Sequence, residues 1–127
     1  MASKFWNDLP NFKPHEFGPQ GDKMNEQFMR KLQMLRNLYR KPMVITSGYR
    51  DAEHHKAIYK KIGKEPPMGS MHLQGRAADI AVSGKDAYKL IALAMVVGFK
   101  GIGVSQKKGN KRFIHLDDRE EETIWSY

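Results

Sequence analysis

The sequence predicts an α+β fold: a small, mostly antiparallel sheet with helices packed on one side of it. Three observations carry that expectation. Two stretches, centred near residues 32 and 90, place apolar residues at helical steps of three and four. Short β-branched or apolar runs lie between and after them, and the last two flank a Lys107-Lys108-Gly109-Asn110 turn that suits a hairpin. No internal repeat and no low-complexity linker interrupts the chain, so residues 1–127 read as a single domain.

The elements follow in order. Met1 to Asp22 carries Pro10, Pro14, Pro19, Gly18 and Gly21 and reads as an extended lead-in, pinned to the core by Phe5, Trp6, Phe12 and Phe17. From Lys23 to Arg40, the residues Met24, Phe28, Leu32, Leu35 and Tyr39 share one helical face, and Pro42 ends the helix. Met43-Val44-Ile45-Thr46 reads as a buried strand. A weaker helix spans Asp51 to Ile62, followed by a Gly63 to Gly69 loop containing Pro66-Pro67, and Ala77 to Val82 reads as a second strand. Ser83 with Asp86 three residues on is an N-cap pattern, and it opens a helix through Ala87, Leu90, Ile91, Ala94 and Met95 that stops at Gly98. Ile102 to Ser105 and Arg112 to Asp117 are the last two strands.

Composition narrows the function. With 40% hydrophobic and 28% charged residues the chain reads as globular rather than disordered. Lys and Arg number 22 against 14 Asp and Glu, a net charge of +8 that points to nucleic acid, anionic lipid or a bacterial wall polymer. The basic residues are scattered, without a helix-turn-helix or aromatic stacking pattern, so nucleic acid is not the expected partner. Absence of Cys excludes disulfides, cysteine nucleophiles and thiolate metal sites. Met1 to Pro10, broken by Lys4, Asn7 and Asp8, does not read as a signal peptide, and no run is apolar enough to span a bilayer. The expectation is a monomer made in the cytoplasm.

Five histidines remain to be placed. His72 stands in Ser70-Met71-His72-Leu73-Gln74-Gly75-Arg76-Ala77-Ala78-Asp79, and His115 in Phe113-Ile114-His115-Leu116-Asp117. His72, Asp79 and His115 would supply two imidazoles and a carboxylate, the donor set of a zinc site that keeps one position open. Gly75 allows a tight turn back toward the second strand. On a strand, His115 and Asp117 share a face while Ile114 and Leu116 point the other way. Spacing alone leaves open whether these groups hold a metal or form ordinary pairs, and H-E-x-x-H is absent. His54 and His55 lie about 100° apart on a helix and cannot chelate one ion. His54 is expected at the cleft edge or as a cap, His55 in solvent, and His15 in a structural role. Met24, Met29, Met34 and Met95 read as core fillers, and Lys107 to Arg112 as a solvated turn.

Ser70 to Asp79 resembles, position for position, the S-x-H-x-x-G-x-A-x-D motif of the M15 zinc peptidases, which include D-alanyl-D-alanine carboxypeptidases and many phage endolysins. Ile45-Thr46-Ser47-Gly48-Tyr49-Arg50 is similar to that family's S-G-Y-R segment. Gly98-Phe99, Gly101-Ile102-Gly103 and Phe113 to Asp117 resemble its G-F, G-I-G and F-I-H-x-D segments, Ile124-Trp125-Ser126-Tyr127 its I-W-[ST]-Y ending, and Phe12 to Phe17 its entry. The motifs occur in family order over nearly the whole chain.

The resemblance implies a Hedgehog/DD-peptidase-like fold and a zinc metallopeptidase acting on peptidoglycan stem peptides, as a D,D-carboxypeptidase or endopeptidase or an L-Ala–D-Glu endopeptidase. One Zn2+ would be held by His72, Asp79 and His115. Arg50 would bind a substrate carboxylate or polarise the scissile carbonyl, and Ser70 would lie beside the substrate. One departure stands out: Arg112 occupies the position, three residues before the last histidine ligand, where several branches carry an acidic base. Asp117 is then the expected catalytic base, the alternative being that it holds His115 in its tautomer. The resemblance further implies a phage or prophage endolysin, made in a bacterial host without a signal peptide and reaching the periplasmic wall after release. The alternative is a non-catalytic, zinc-containing wall-binding module of the same fold.

Overall fold

The computed structural model describes residues 2–127; Met1 lies outside them. The lead-in is not extended. It folds into three short 3₁₀ turns, Lys4–Asp8, Pro14–Phe17 and Gly21–Lys23, because its prolines and glycines reverse the chain often enough to close local hydrogen bonds such as Leu9 N to Trp6 O at 3.2 Å. Phe5, Trp6, Phe12 and Phe17 are buried as expected. Helix α1 (Glu26–Tyr39) starts at Asn25, whose side chain accepts from Phe28 N at 2.9 Å, and ends at Arg40 in the left-handed region, two residues before Pro42.

Strand β1 (Val44–Ser47) is an edge strand with alternately exposed and half-buried residues, not a buried one, because it has a partner on one side only. Helix α2 (Ala52–Lys61) and strand β2 (Ala77–Ala81) match the expected elements. Helix α3 (Gly84–Val97) stops at Gly98 (φ 103°), but Ser83 makes no side-chain cap; the Gln106 side chain instead accepts from Gly84 N at 3.3 Å, and Asp86 pairs with Lys41. Strands β3 (Gly101–Ser105) and β4 (Phe113–Asp117) form the hairpin. Thr123–Ser126, read only as a motif, forms a further strand, β5.

Among the described residues these strands make one sheet in the order β1-β2-β4-β3-β5, antiparallel throughout except for the parallel β3–β5 pair. The chain leaves β4, passes β3 and lies down on its far edge. Phe28, Leu32 and Leu35 of α1 and Leu90 and Ala94 of α3 are buried with Ile80, Ile114 and Leu116 in one core. Two helices therefore cover one face, while α2 borders the opposite one. Of the four methionines expected inside, Met24 and Met29 are buried, whereas Met34 and Met95 are exposed beside the apolar stripes of their helices. Among the described residues no helix is long and apolar enough to cross a membrane.

Candidate metal centre

Register builds the site. Ser47, Asp79, His115, Gly103 and Trp125 are successive cross-strand partners, so they form one transverse row over the whole sheet. Their neighbours Ile80, Ile114 and Leu116 point into the core. His72 reaches the row from outside the sheet, on a 3₁₀ turn (Met71–Gln74) closed by Gly75 at φ 67°. A Cβ on Gly75 would lie 2.7 Å from Lys23 O, so the turn needs both glycine's backbone freedom and its missing side chain. The Ser70 hydroxyl caps this turn by accepting from His72 N at 3.3 Å, and Ser70 also lines the cleft. Gly48 admits Phe17 against the end of β1, which seats the Gly48-Tyr49-Arg50 segment beside His72.

His72, Asp79 and His115 are all buried, and one ligand atom from each lies within 4.8 Å of the others. Asp79 Oδ1 is 3.3 Å from His72 Nε2 and 3.0 Å from His115 Nδ1. The outer contacts decide what these atoms are. His72 Nδ1 donates to Gly48 O at 2.8 Å, and His115 Nε2 donates to Asp117 Oδ2 at 2.7 Å. With both rings in their neutral form, each turns a lone pair inward, toward a carboxylate oxygen that also only accepts. Three acceptors facing one point without a donor between them fit a cation, and two imidazoles with a carboxylate suit zinc. Burial by itself would raise the Asp79 carboxyl, but hydrogen bonding to His115 and His72 holds it well below the ordinary carboxylate range. Burial likewise opposes charge on His115, and its bonds to Asp117 and Asp79 outweigh that and raise its pKa; a metal ion would take the place of that proton.

Asp117 is fully buried and does not line the cleft. Its Oδ1 accepts from the Arg119 backbone N (3.1 Å) and Nε (2.8 Å), and its Oδ2 from Arg119 Nη2 (2.7 Å) as well as from His115. Of the two roles open to this carboxylate, its contacts are those of the group that orients His115, since neither oxygen faces the cleft. Burial would raise the Asp117 carboxyl, and Arg119 and His115 together hold it well below its usual range. Arg119 in turn lies over the Trp125 indole, 4.6 Å from its centroid, and Trp125 lies 5.0 Å from the His115 ring.

The two glycines of β3 make this packing possible. A Cβ on Gly101 would collide with the Asp117 carboxylate, and one on Gly103 would come within 2.8 Å of the Trp125 indole. Neither role is readable from one strand alone, because each depends on what the neighbouring strands lay across it.

Arg50 is largely buried at the cleft wall, with Nε donating to Ser47 Oγ at 3.0 Å and Nη2 3.5 Å from Asp79 Oδ2. His55, expected in solvent, is fully buried beside it, whereas His54 is exposed and its backbone N is capped by Asp51. The cleft encloses about 560 Å³ and is walled by Arg50, Tyr59, Phe113, Arg119, Trp125 and Tyr127. Asp79 is the only carboxylate lining it among the described residues, and Arg112 is exposed in the β3–β4 turn. Arg119 went unread in the sequence; its sole signal is the spacing of two residues from Asp117.

A family model described as Peptidase M15 matches residues 12–117. Among solved structures, the L-Ala D-Glu endopeptidase ChiX of Serratia marcescens is similar in fold, with a TM-score of 0.55 at 14% identity, over 89% of this chain and 94% of that one. A comparison with curated proteins finds no match. The matched region runs from the buried lead-in through Asp117 and contains His72, Asp79 and His115, and on that ground the chain belongs to the peptidase M15 family.

Proposed function

We propose that this chain is a zinc-dependent peptidase that hydrolyses peptide bonds in bacterial peptidoglycan stem peptides, with one Zn2+ held by His72 Nε2, Asp79 Oδ1 and His115 Nδ1. The observation that carries this reading is the convergence of three buried acceptors, with no donor among them, on the floor of an open cleft. Zinc bound there would supply a Lewis acid for a carbonyl oxygen and acidify a water toward pKa ~7. The chain supplies the rest. Gly48 O and Asp117 fix the two imidazole tautomers, Arg119 fixes Asp117, and Arg50 offers its remaining N–H groups to a carbonyl or carboxylate in the cleft. Trp125 and Tyr127 wall the site.

The first bond to test is L-Ala–D-Glu, which the structurally similar Serratia enzyme is named for; D-Ala–D-Ala is the other. The reading extends to an endolysin of phage or prophage origin, made in a bacterial cytoplasm as a monomer and acting on the periplasmic wall after release, with the +8 charge favouring an anionic wall. Digestion of purified peptidoglycan followed by mass spectrometry of the released peptides tests the activity and names the bond. Hydrolysis should stop with a chelator and return with zinc; full activity after chelation refutes the zinc reading.

One observation favours a second reading. No carboxylate other than Asp79 lines the cleft among the described residues, which leaves the proton of an attacking water without an evident acceptor. A non-catalytic wall-binding module would sediment with peptidoglycan, bind zinc stoichiometrically and release no peptide.

A further inference from the structure

His55 is fully buried, lies outside the His72–Asp79–His115 group, and has a partner on each ring nitrogen. Nε2 lies 2.9 Å from Pro67 O, on the loop that forms one lip of the cleft, and Nδ1 lies 3.4 Å from Arg50 Nη1. The Tyr59 ring packs against it at 5.0 Å. The chemistry of the partners assigns the tautomer. A carbonyl can only accept, so Nε2 carries the hydrogen; the neutral ring then presents a lone pair at Nδ1, and a guanidinium can only donate to it. Burial pushes His55 below its ordinary pKa despite the Pro67 contact, which agrees with a neutral ring.

The contact completes a cradle for Arg50. Of the five N–H groups of a guanidinium, Nε points to Ser47 Oγ and one hydrogen of Nη1 to His55 Nδ1, while Nη2 lies 3.5 Å from Asp79 Oδ2 as an ion pair. The terminal nitrogens keep N–H groups for the cleft. Without Nδ1, the acceptors remaining to Arg50 are Ser47 and the Asp79 carboxylate, and the guanidinium plane would turn toward the latter.

We propose that His55 is a positioning residue, which sets the guanidinium plane of Arg50 through Nδ1 and ties the Pro67 lip to it through Nε2. Its kinetic consequence rests on the peptidase reading above; the tautomer does not.

Three substitutions separate the two contacts. His55→Asn places an amide near the Nδ1 position and can still accept from Arg50. His55→Gln reaches the Nε2 position and can still donate to Pro67 O. His55→Phe keeps the ring volume with neither. On a soluble stem peptide, Asn should keep kcat within about threefold while KM rises, and Gln should keep KM while kcat falls about 10- to 100-fold, the scale of a misplaced catalytic contact. Phe should show both losses. Equal losses in all three variants, following their melting temperatures, would mean that His55 only fills space and would overturn the proposal. Independently of turnover, long-range ¹H–¹⁵N NMR of the full chain with zinc added should show His55 at neutral pH as the Nε2–H tautomer with Nδ1 unprotonated. An Nδ1–H or doubly protonated ring also overturns it. If the wild type cuts no stem peptide, the peptidase reading fails on that result and the NMR measurement alone decides the role of His55.

Discussion

Strands β2 and β4 carry two different kinds of matter on their two faces. Toward α1 and α3 they present Ile80, Ile114 and Leu116, buried among Phe28, Leu32 and Leu90. One residue along, toward the cleft, they present Asp79, His115 and Asp117, equally buried but joined atom by atom to His72, Arg50 and Arg119. The apolar face is stabilised by area and by filling space, so its contributions are many, non-directional and partly interchangeable. On the polar face the contacts behind the ligands pair single donors with single acceptors, and removing one group leaves a buried partner unsatisfied. Strength is spread out on one side of the sheet and concentrated in single contacts on the other.

The largest expected effect breaks the polar face at its centre. Asp79→Ala removes the oxygen on which both imidazoles converge, and stoichiometric zinc binding should vanish in titration calorimetry while the metal-free chain still folds. Next comes the apolar face. Leu116→Ala should cost about 2–5 kcal/mol in urea unfolding, through lost burial and an unfilled cavity, with zinc affinity of the folded protein preserved. If it loses zinc as well, the two faces are not separable.

A smaller effect sharpens the role of Asp117. Asp117→Asn weakens the acceptor behind His115 and should lower zinc affinity by about 10- to 100-fold, the usual range for a group that orients a metal-bound histidine. Unchanged zinc affinity with hydrolysis lost would instead make Asp117 the proton acceptor. The smallest effect is a pH dependence. Unfolded, His55 titrates near its ordinary 6.5, and burial beside Arg50 and Tyr59 lowers that value in the folded chain. Between the two values the unfolded chain binds more protons, so stability falls as pH falls through 6.5, by at most about 1.4 kcal/mol per pH unit. His55→Gln should flatten that slope relative to the wild type in melts between pH 5 and 7.

Much of the architecture was legible because it is periodic. The stripe from Met24 to Tyr39 and the alternation around Ile114-His115-Leu116 announce which side of an element faces inward, and the Ser70 to Asp79 motif places His72 and Asp79 near one another. Other features escaped for physical reasons. The lead-in differs from the expected extended chain because its prolines and glycines are compatible with extended backbone as well as with the 3₁₀ turns it forms. The burial of His55 is not legible locally because α2 has no clear apolar stripe, so nothing marks which of two adjacent histidines turns inward. Met34 and Met95 sit at the margin of their helical stripes, where a small rotation decides exposure. Ser83 resembles a cap, yet Gln106, from the far end of β3, occupies that position.

By itself the sequence determined the fold class, the order of the elements and the residue types able to hold a metal, because helical and strand periods and tight turns are properties of neighbouring residues. The tertiary structure alone decided which atoms meet. The transverse row from Ser47 to Trp125 exists through strand register, and a slip of one residue would turn Asp79 and His115 into the core. The parallel pairing of β5, the saturation of Asp117 by Arg119 and the enclosure of His55 between Arg50 and Pro67 depend on elements brought together from distant parts of the chain. Their free energies come from desolvation and direction, and neither exists until the chain has closed around them.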